Sequence, residues 1–340
     1  MPTTYAIPDG RTVMAATLYT GNGGSQSIAN TVNGVSMQPD FVWVKKRSGA
    51  ENHELTDAVR GNNLRLASNT TDAQSAGGIA MASTGFALSG GFGTDNENAQ
   101  TYVAWQWNAG GSTVTNTSGS ISAQVRANTT AGFSVVTYTG TGSAATVGHG
   151  LGVAPSMIII KNRSSAVNWI VYHSSLGNTK ELVLNSTAAE ATNSDWNNTS
   201  PTSTVFSLGV SGSGNGSGNN LVAYCFAAVA GYSAFGSYTG NGSTDGTFVF
   251  LGFRPRWVMI KRTDSSGFSW GILDTSRNTY NVANLRLFAD LTQADNTQDI
   301  LDILSNGFKL RTTNTNENAS GGTYIYAAFA ENPFKYANAR

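Results

Sequence analysis

The chain has 340 residues, of which only 12% are charged, and its 20 basic and 20 acidic residues cancel to a net charge of zero. Nucleic acids and anionic membrane surfaces are bound by a concentrated basic field, so we expect neither as a partner. Because 40% of the residues are hydrophobic and 10% aromatic, the chain can bury a core and fold. No apolar run in the sequence approaches the roughly 18 residues that cross a bilayer, and we expect no membrane insertion.

The N-terminal residues contain neither a basic start nor an apolar stretch of signal-peptide length, which predicts synthesis in a cytosol without general secretion. Residues 1–10 precede the repeats described below and are expected to form an exposed N-terminal arm. The arm is either a docking element, with Tyr5, Ile7 and Pro8 as candidate docking residues, or a frayed end. The single cysteine, Cys225, lies in an apolar run and is expected to be a buried, inert thiol.

Three passages of the sequence share the opening Tyr-Thr-Gly-x-Gly, which begins at Tyr19, Tyr138 and Tyr238. Each opening is followed by an apolar run that starts at a proline and ends on a lysine six positions later, at residues 39–45, 155–161 and 255–261. Each copy closes on an aromatic run, at residues 102–107, 221–226 and 324–329. Recurrence in the same order predicts one supersecondary plan used three times.

Runs of β-branched and aromatic residues between Gly, Asn, Ser and Thr clusters are typical of strands. We therefore predict an all-β fold of three tandem β-sandwich, jelly-roll-like repeats of about 100 residues, over residues 11–110, 120–230 and 232–340. The Pro-to-Lys runs are apolar on both faces, which predicts central strands with one face in a core and the other covered by a neighbouring sheet, repeat or subunit. Thr297 to Leu304 alone has an amphipathic pattern that suggests a turn of helix.

The densest ionisable cluster comprises Glu51, His53, Glu54 and Asp57. It has two interpretations: a carboxylate pair with a histidine, as glycosidases or metal sites use, or a solvated connection between strands. The carboxylates do not recur in the other copies, which favours the connection. We therefore expect no catalytic residue, no metal site and no cofactor.

Two further sets of residues are candidates for ligand contacts. Lys45, Lys161 and Lys261 are either ligand or partner contacts or, as we favour, structural lysines. Their stems then reach solvent, or in copies one and three the lysine pairs with Asp57 or Asp274. Trp196, with its polar neighbours Asp195 and Asn197, forms the one exposed-looking aromatic loop and is the candidate glycan contact.

The recurrent order of Tyr-Thr-Gly-x-Gly, Pro-x5-Lys and a closing aromatic strand, together with the passage 131–140, resembles the repeated β-module of tailed-bacteriophage virion proteins. These are tail-fibre or structural proteins of marine or aquatic phages, and the resemblance extends from about residue 10 over nearly the whole chain. It implies localisation to the virion after assembly in the host cytoplasm, and release by host lysis. It also implies other phage virion proteins of the tail or capsid as partners and a homo-oligomer, expected to be a trimer.

We therefore expect a non-enzymatic bacteriophage structural protein, a short tail fibre or receptor-binding subunit that attaches to host surface glycan. A capsid decoration or cement protein and a fibre adaptor are alternatives with the same fold. An alternative of another class is a secreted lectin or polysaccharide-active enzyme. The enzyme would need a carboxylate pair about 5–10 Å apart in a groove, which only residues 51–57 could offer.

Overall fold

The computed structural model describes residues 6–331, which form an all-β fold of several antiparallel sheets. We refer to residues 11–110, 120–230 and 232–340 as repeats 1, 2 and 3. A short 3-10 turn at Gly10–Thr12 precedes the first strand. The strands up to the end of repeat 1 are β1 (Met14–Thr20), β2 (Ser25–Ala29), β3 (Phe41–Lys46), β4 (Glu54–Asp57), β5 (Leu64–Arg65), β6 (Ser75–Ala76), β7 (Ile79–Ala82), β8 (Gly85–Ser89) and β9 (Thr101–Trp107).

Repeats 2 and 3 each contain one four-residue helical turn besides their strands. The elements from the linker to the end of repeat 2 are β10 (Val114–Asn116), β11 (Ala123–Asn128), β12 (Phe133–Thr139), β13 (Ala145–Gly148), β14 (Met157–Asn162), β15 (Ile170–His173), β16 (Lys180–Val183), β17 (Ala191–Thr192), β18 (Val205–Leu208), α1 (Gly212–Asn215) and β19 (Asn220–Phe226). Those of repeat 3 are β20 (Ser233–Thr239), β21 (Phe248–Phe250), β22 (Pro255–Arg262), β23 (Gly271–Asp274), β24 (Ala283–Phe288), β25 (Asn296–Leu304), β26 (Gly307–Leu310), α2 (Thr315–Asn318) and β27 (Thr323–Ala330).

The same order of four antiparallel strands occurs in each repeat. The orders are β1-β9-β3-β4, β12-β19-β14-β15 and β20-β27-β22-β23, so the closing aromatic strand lies between the Tyr-Thr-Gly strand and the Pro-to-Lys strand each time. The registers also agree: Phe41 lies opposite Trp107, Met157 opposite Phe226, and Trp257 opposite Phe329. The structure therefore shows the same four-stranded unit in all three repeats.

One face of each four-stranded unit packs into a core that all three repeats share. Residues of the Pro-to-Lys and closing strands from every repeat belong to one buried apolar cluster. At its centre, rings and side chains of different repeats are in contact: Trp107 packs edge-to-face on Trp257 and on Phe226, with ring centroids 5.6 and 6.2 Å apart. The repeats are therefore arranged around a common apolar centre and are not independent cores joined end to end.

The opposite face of each unit is covered by a second layer within its own repeat. In repeat 1, Val42 and Val44 pack against the sheet β2-β8-β7, and in repeat 2, Ile158 and Ile160 pack against the pair β13-β18. In repeat 3 the second layer continues from the first through β24, β25, β26 and β21, which gives one nearly closed sheet. The prediction that both faces of these strands are covered is confirmed.

One local expectation is wrong. Residues 297–304 belong to strand β25 and not to a helix, because β24 and β26 pair with them on either side. Within residues 6–331, no helix is both long and apolar enough to cross a membrane.

Candidate functional site

In each repeat, the residue just before the fourth strand of the four-stranded unit donates a hydrogen bond to a backbone carbonyl of another repeat. Trp169 Nε1 donates to the carbonyl oxygen of Ala67 at 2.9 Å, and Trp270 Nε1 donates to that of Val183 at 3.0 Å. The equivalent residue of repeat 1 is His53, which accepts from Trp43 Nε1 at Nδ1 and therefore donates from Nε2 to the carbonyl oxygen of Phe288 at 2.9 Å. Repeat 2 thus binds repeat 1, repeat 3 binds repeat 2, and repeat 1 binds repeat 3, which closes a cycle.

The recurring lysines take part in the same cycle. Their side chains are completely buried, and each ammonium group donates to a threonine carbonyl of another repeat. The pairs are Lys45 with Thr292 at 3.0 Å, Lys161 with Thr71 at 2.8 Å, and Lys261 with Thr187 at 3.4 Å. Burial lowers the pKa of each lysine to about 8. The expected structural role is compatible with these contacts, but the expectations that the lysines reach solvent or pair with Asp57 and Asp274 are wrong.

The two aspartates instead form buried ion pairs with arginines three positions later. Asp57 pairs with Arg60 and also accepts from Tyr224 of repeat 2 at 2.8 Å. Asp274 pairs with Arg277 at 2.6 Å and accepts from Trp105 Nε1 of repeat 1 at 3.0 Å. The aspartates therefore orient an arginine within one repeat and bind an aromatic side chain of another.

The Tyr-Thr-Gly-x-Gly motif fixes a turn before the closing strand. The hydroxyl groups of the three tyrosines each donate at 2.7 Å to a backbone carbonyl of that turn, in Asp95, Gly214 and Glu317. The first glycine lies directly against the turn, where a Cβ atom would meet a backbone oxygen, and the second has a φ of +67° to +71°. Both glycines are required by backbone geometry, so this motif is structural.

A buried asparagine completes the turn in each repeat. Asn215 accepts from the backbone N–H of Thr141 at 2.8 Å and donates to the carbonyl of Gly209 at 2.8 Å. Asn96 and Asn318 make the equivalent bonds in repeats 1 and 3. Asn96 and Asn318 are therefore the equivalent residues of repeats 1 and 3. In repeat 2, the glycine-rich segment 211–218 forms this turn.

The ionisable cluster of residues 51–57 is dispersed by the fold. His53 lies in the contact between repeats, where burial lowers its pKa to about 3. Glu54 points to the other face of β4 and accepts from Thr94 Oγ1 at 2.7 Å, while Asp57 binds Arg60. These groups face different partners and do not line a common groove.

Two buried carboxyl groups, those of Asp95 and Glu181, each lie near a second carboxyl group. Asp95 is fully buried, neither of its carboxyl oxygens has a hydrogen-bond partner, and burial together with the nearby Glu54 raises its pKa to about 8. Burial and the neighbouring Asp195 raise the pKa of Glu181 to about 8 as well. Within residues 6–331, no group of three or more His, Cys, Asp or Glu side chains is arranged to hold a metal ion.

The predicted glycan contacts lie mostly inside the protein. Trp196 is only 1% exposed and packs edge-to-face on Tyr172, with ring centroids 5.5 Å apart. Asp195 is buried as well, and Asn197 is exposed. Because a ring that stacks on a sugar needs an open face, the expectation that Trp196 is an exposed platform is wrong.

The N-terminal arm differs from its expectation in a similar way. Tyr5 lies outside the described residues and Pro8 is exposed, but Ile7 is 2% exposed and belongs to the shared core. Ile7 therefore stabilises the fold and is not available for docking.

The connection after the fourth strand of the four-stranded unit is longer in repeat 3 than in the other repeats. The interval between two equivalent sheet positions is 9 residues in repeats 1 and 2 but 13 in repeat 3, measured between Asp57 and Leu66, His173 and Leu182, and Asp274 and Leu287. Residues 277–282 of this longer connection line a groove of about 430 Å³, and Asn284 and Asp299 complete the lining. We call it the Tyr280 groove.

Tyr280 projects from this groove with 85% of its side chain exposed, the largest fraction among the exposed large hydrophobic residues of the described chain. The backbone below it is held by two asparagines. Asn278 Oδ1 accepts from the N–H groups of Asn284 and Leu285 at 2.9 and 2.8 Å, and Asn281 Oδ1 accepts from that of Ile303 at 2.8 Å. An exposed aromatic ring is thus placed on an anchored loop.

Three polar side chains in the groove lining have no hydrogen-bond partner within the described chain. Within residues 6–331, the side chains of Tyr280, Asn284 and Asp299 make no hydrogen bond. Arg277, in contrast, is paired with Asp274 at 2.6 Å and with Asp295 at 2.9 Å. The groove can therefore offer an aromatic face, an amide and a carboxylate to a ligand. In the sequence, the only sign of this groove is that the connection is longer in repeat 3 than in repeats 1 and 2.

Comparison with known proteins gives a family but no activity. No curated protein matches the chain. One family model, described as "Domain of unknown function (DUF7483)", matches residues 9–333, which include repeats 1 and 2 and most of repeat 3. The chain belongs to the DUF7483 family.

Proposed function

We propose that the chain is a non-enzymatic structural protein of a tailed-bacteriophage virion, where it serves as a short tail fibre or receptor-binding subunit that attaches to host surface glycan. The observation that carries the proposal is the Tyr280 groove, which combines an exposed aromatic ring with unpaired polar groups. It lies on an insertion in one repeat, and binding residues are often found in such loops on a rigid scaffold.

The rest of the scaffold supports a role in binding and assembly. The recurring lysines, the aspartates of the buried ion pairs and the tyrosines of the repeated motif all bind other parts of the chain. The ionisable groups of residues 51–57, which an acid–base mechanism would need close together, point to separate partners.

We take residues 11–110, 120–230 and 232–340 as tandem copies of one jelly-roll-like sandwich, of which the shared four-stranded unit is the common part. Assembly as a homotrimer with other tail or capsid proteins is the arrangement that the phage resemblance implies. The mass of the purified protein in solution, measured by light scattering, tests the trimer.

The location on the particle is tested with an antibody against the purified chain. Particles of a phage that encodes this chain are labelled and viewed by electron microscopy. We expect label on the tail, and binding of the purified protein to whole host cells but not to empty capsids. Label on the capsid surface would favour the alternative of a decoration or cement protein, and unlabelled particles would contradict the virion proposal.

A further inference from the structure

We propose that the Tyr280 groove binds a neutral saccharide chain, with a pyranose ring stacked on Tyr280 and its hydroxyl groups held by Asp299 and Asn284. This inference rests on the proposed function, since it names the class of glycan and the residues that bind it.

The chemistry of the exposed groups favours a sugar. Tyr280 presents a large amphipathic ring to solvent at 85% exposure, and an aromatic face packs on the C–H face of a pyranose. The carboxylate of Asp299 accepts hydrogen bonds only, while the amide of Asn284 both donates and accepts. Neighbouring hydroxyl groups of a sugar, each a donor and an acceptor, match this combination.

The charge of the groove favours a neutral sugar over an acidic one. Asp299 is exposed and has no cationic partner within the described chain. The guanidinium group of Arg277, the cation in the groove lining, is already occupied by Asp274 and Asp295. A uronic acid, a sialic acid or a phosphate would therefore meet a free carboxylate without a counter-charge, and like charges at a binding surface are unfavourable.

The loop that carries the ring is held in place before a ligand arrives. Asn281 is bonded to both backbone groups of Ile303, at 2.8 and 3.0 Å, and Asn278 also donates to the carbonyl of Leu285 at 2.9 Å. A pre-organised loop loses less conformational entropy on binding, so a shallow groove can still give measurable affinity.

The test is a glycan array probed with the full chain, carrying neutral hexose and N-acetylhexosamine oligomers beside sialylated, uronic-acid and phosphorylated ones. We expect binding to neutral oligomers. Tyr280→Ala should weaken it about tenfold or more, whereas Tyr280→Phe should retain most of it because the ring remains. Asp299→Asn should reduce binding to neutral oligomers and weaken the discrimination against acidic ones.

Phe250→Ala is the matched control, because Phe250 is a 67% exposed aromatic residue on β21, outside the groove lining. This variant should bind as the unchanged protein does. Thermal unfolding of each variant checks that the fold is retained. Binding that Tyr280→Ala leaves intact, a preference for acidic glycans, or no binding to any glycan on the array would each overturn the inference.

The same variants separate this inference from the proposed function. Neutral-sugar binding through Tyr280 by a protein that does not occur on phage particles would retain the groove and overturn the virion role. Labelled particles and cell binding that Tyr280→Ala does not affect would retain the virion role and overturn the groove.

Discussion

Lys161 illustrates how a recurring charged residue becomes part of a framework. Its ammonium group donates to the carbonyl oxygens of Val167 at 2.7 Å and Thr71 at 2.8 Å, and its side chain is fully buried. Since Thr71 belongs to repeat 1, this lysine stabilises the contact between two repeats. The recurrence of a lysine at this position could be read from the sequence. Its partners could not, because they are backbone groups of another repeat.

Lys161→Met should lower the free energy of unfolding by about 1–3 kcal/mol, because it leaves buried carbonyl groups without donors. Chemical denaturation followed by fluorescence measures the change. Lys180→Met, which removes a partly exposed lysine 3.5 Å from Glu190, is the control and should change stability by less than about 0.5 kcal/mol. Equal effects of the two substitutions would contradict the role assigned to Lys161.

Asp95 predicts a dependence of stability on pH. Its pKa is about 8 in the folded protein, against an ordinary value of 3.8 for an aspartate. Between these values the folded state binds more protons than the unfolded state, so the contribution of Asp95 to the free energy of unfolding falls as the pH rises.

Asp95→Asn replaces the carboxyl group with a neutral amide and removes this dependence. Relative to the unchanged protein, the variant should gain at least about 1 kcal/mol between pH 5 and pH 8.5, the equivalent of one pKa unit. Thermal unfolding at several pH values measures it. Asp72→Asn, at an exposed aspartate, should show no such trend; a parallel trend in both variants would contradict the assignment to Asp95.

Among the elements, the Pro-to-Lys strands were predictable and β25 was not. The runs at 39–45, 155–161 and 255–261 combine β-branched residues with apolar side chains on both faces, which few other structures accommodate. Residues 297–304 have apolar residues at spacings that fit a helix or a strand. Pairing with β24 and β26, which the local sequence does not reveal, decides in favour of the strand.

The candidate site depended on burial, which the local sequence predicted poorly. Trp196 is surrounded by polar residues in the chain, yet it packs on Tyr172 in the fold. Tyr280 stands among similar polar residues and is exposed. Only the tertiary structure distinguishes the two rings.

The turn before the closing strand is expected to be a sensitive element. Asn215→Ala removes the acceptor of the Thr141 N–H and the donor to the carbonyls of Ser143 and Gly209, all of which lie close to the buried turn. The free energy of unfolding should fall by about 1–3 kcal/mol in urea denaturation. Asn220→Ala, at an exposed residue, is the control; a loss of the same size there would show that the turn has no special role.

For the whole molecule, the shared core and the cycle of contacts predict one cooperative unfolding transition. Trp107 of repeat 1 touches Phe226 of repeat 2 and Phe329 of repeat 3, so loss of one repeat exposes the apolar surface of the others. Differential scanning calorimetry should give a single transition with equal calorimetric and van't Hoff enthalpies.

Trp107→Ala should destabilise this transition by about 3–5 kcal/mol without splitting it. Transitions that separate into two or three in either protein would contradict the shared core. The sequence showed that the plan is used three times, but the burial of one face of each copy against the other two required the structure.

The extra residues between β23 and β24 have a consequence for how such a protein can change over time. In a ring built from identical subunits, a change in one loop appears at every symmetry-related position. Here a single polypeptide supplies all three positions, so the loop of Tyr280 can vary in length and chemistry while the corresponding loops of repeats 1 and 2 keep their nine-residue spacing. The loop of Tyr280 can therefore change at one position without altering the hydrogen bonds that close the cycle of repeats.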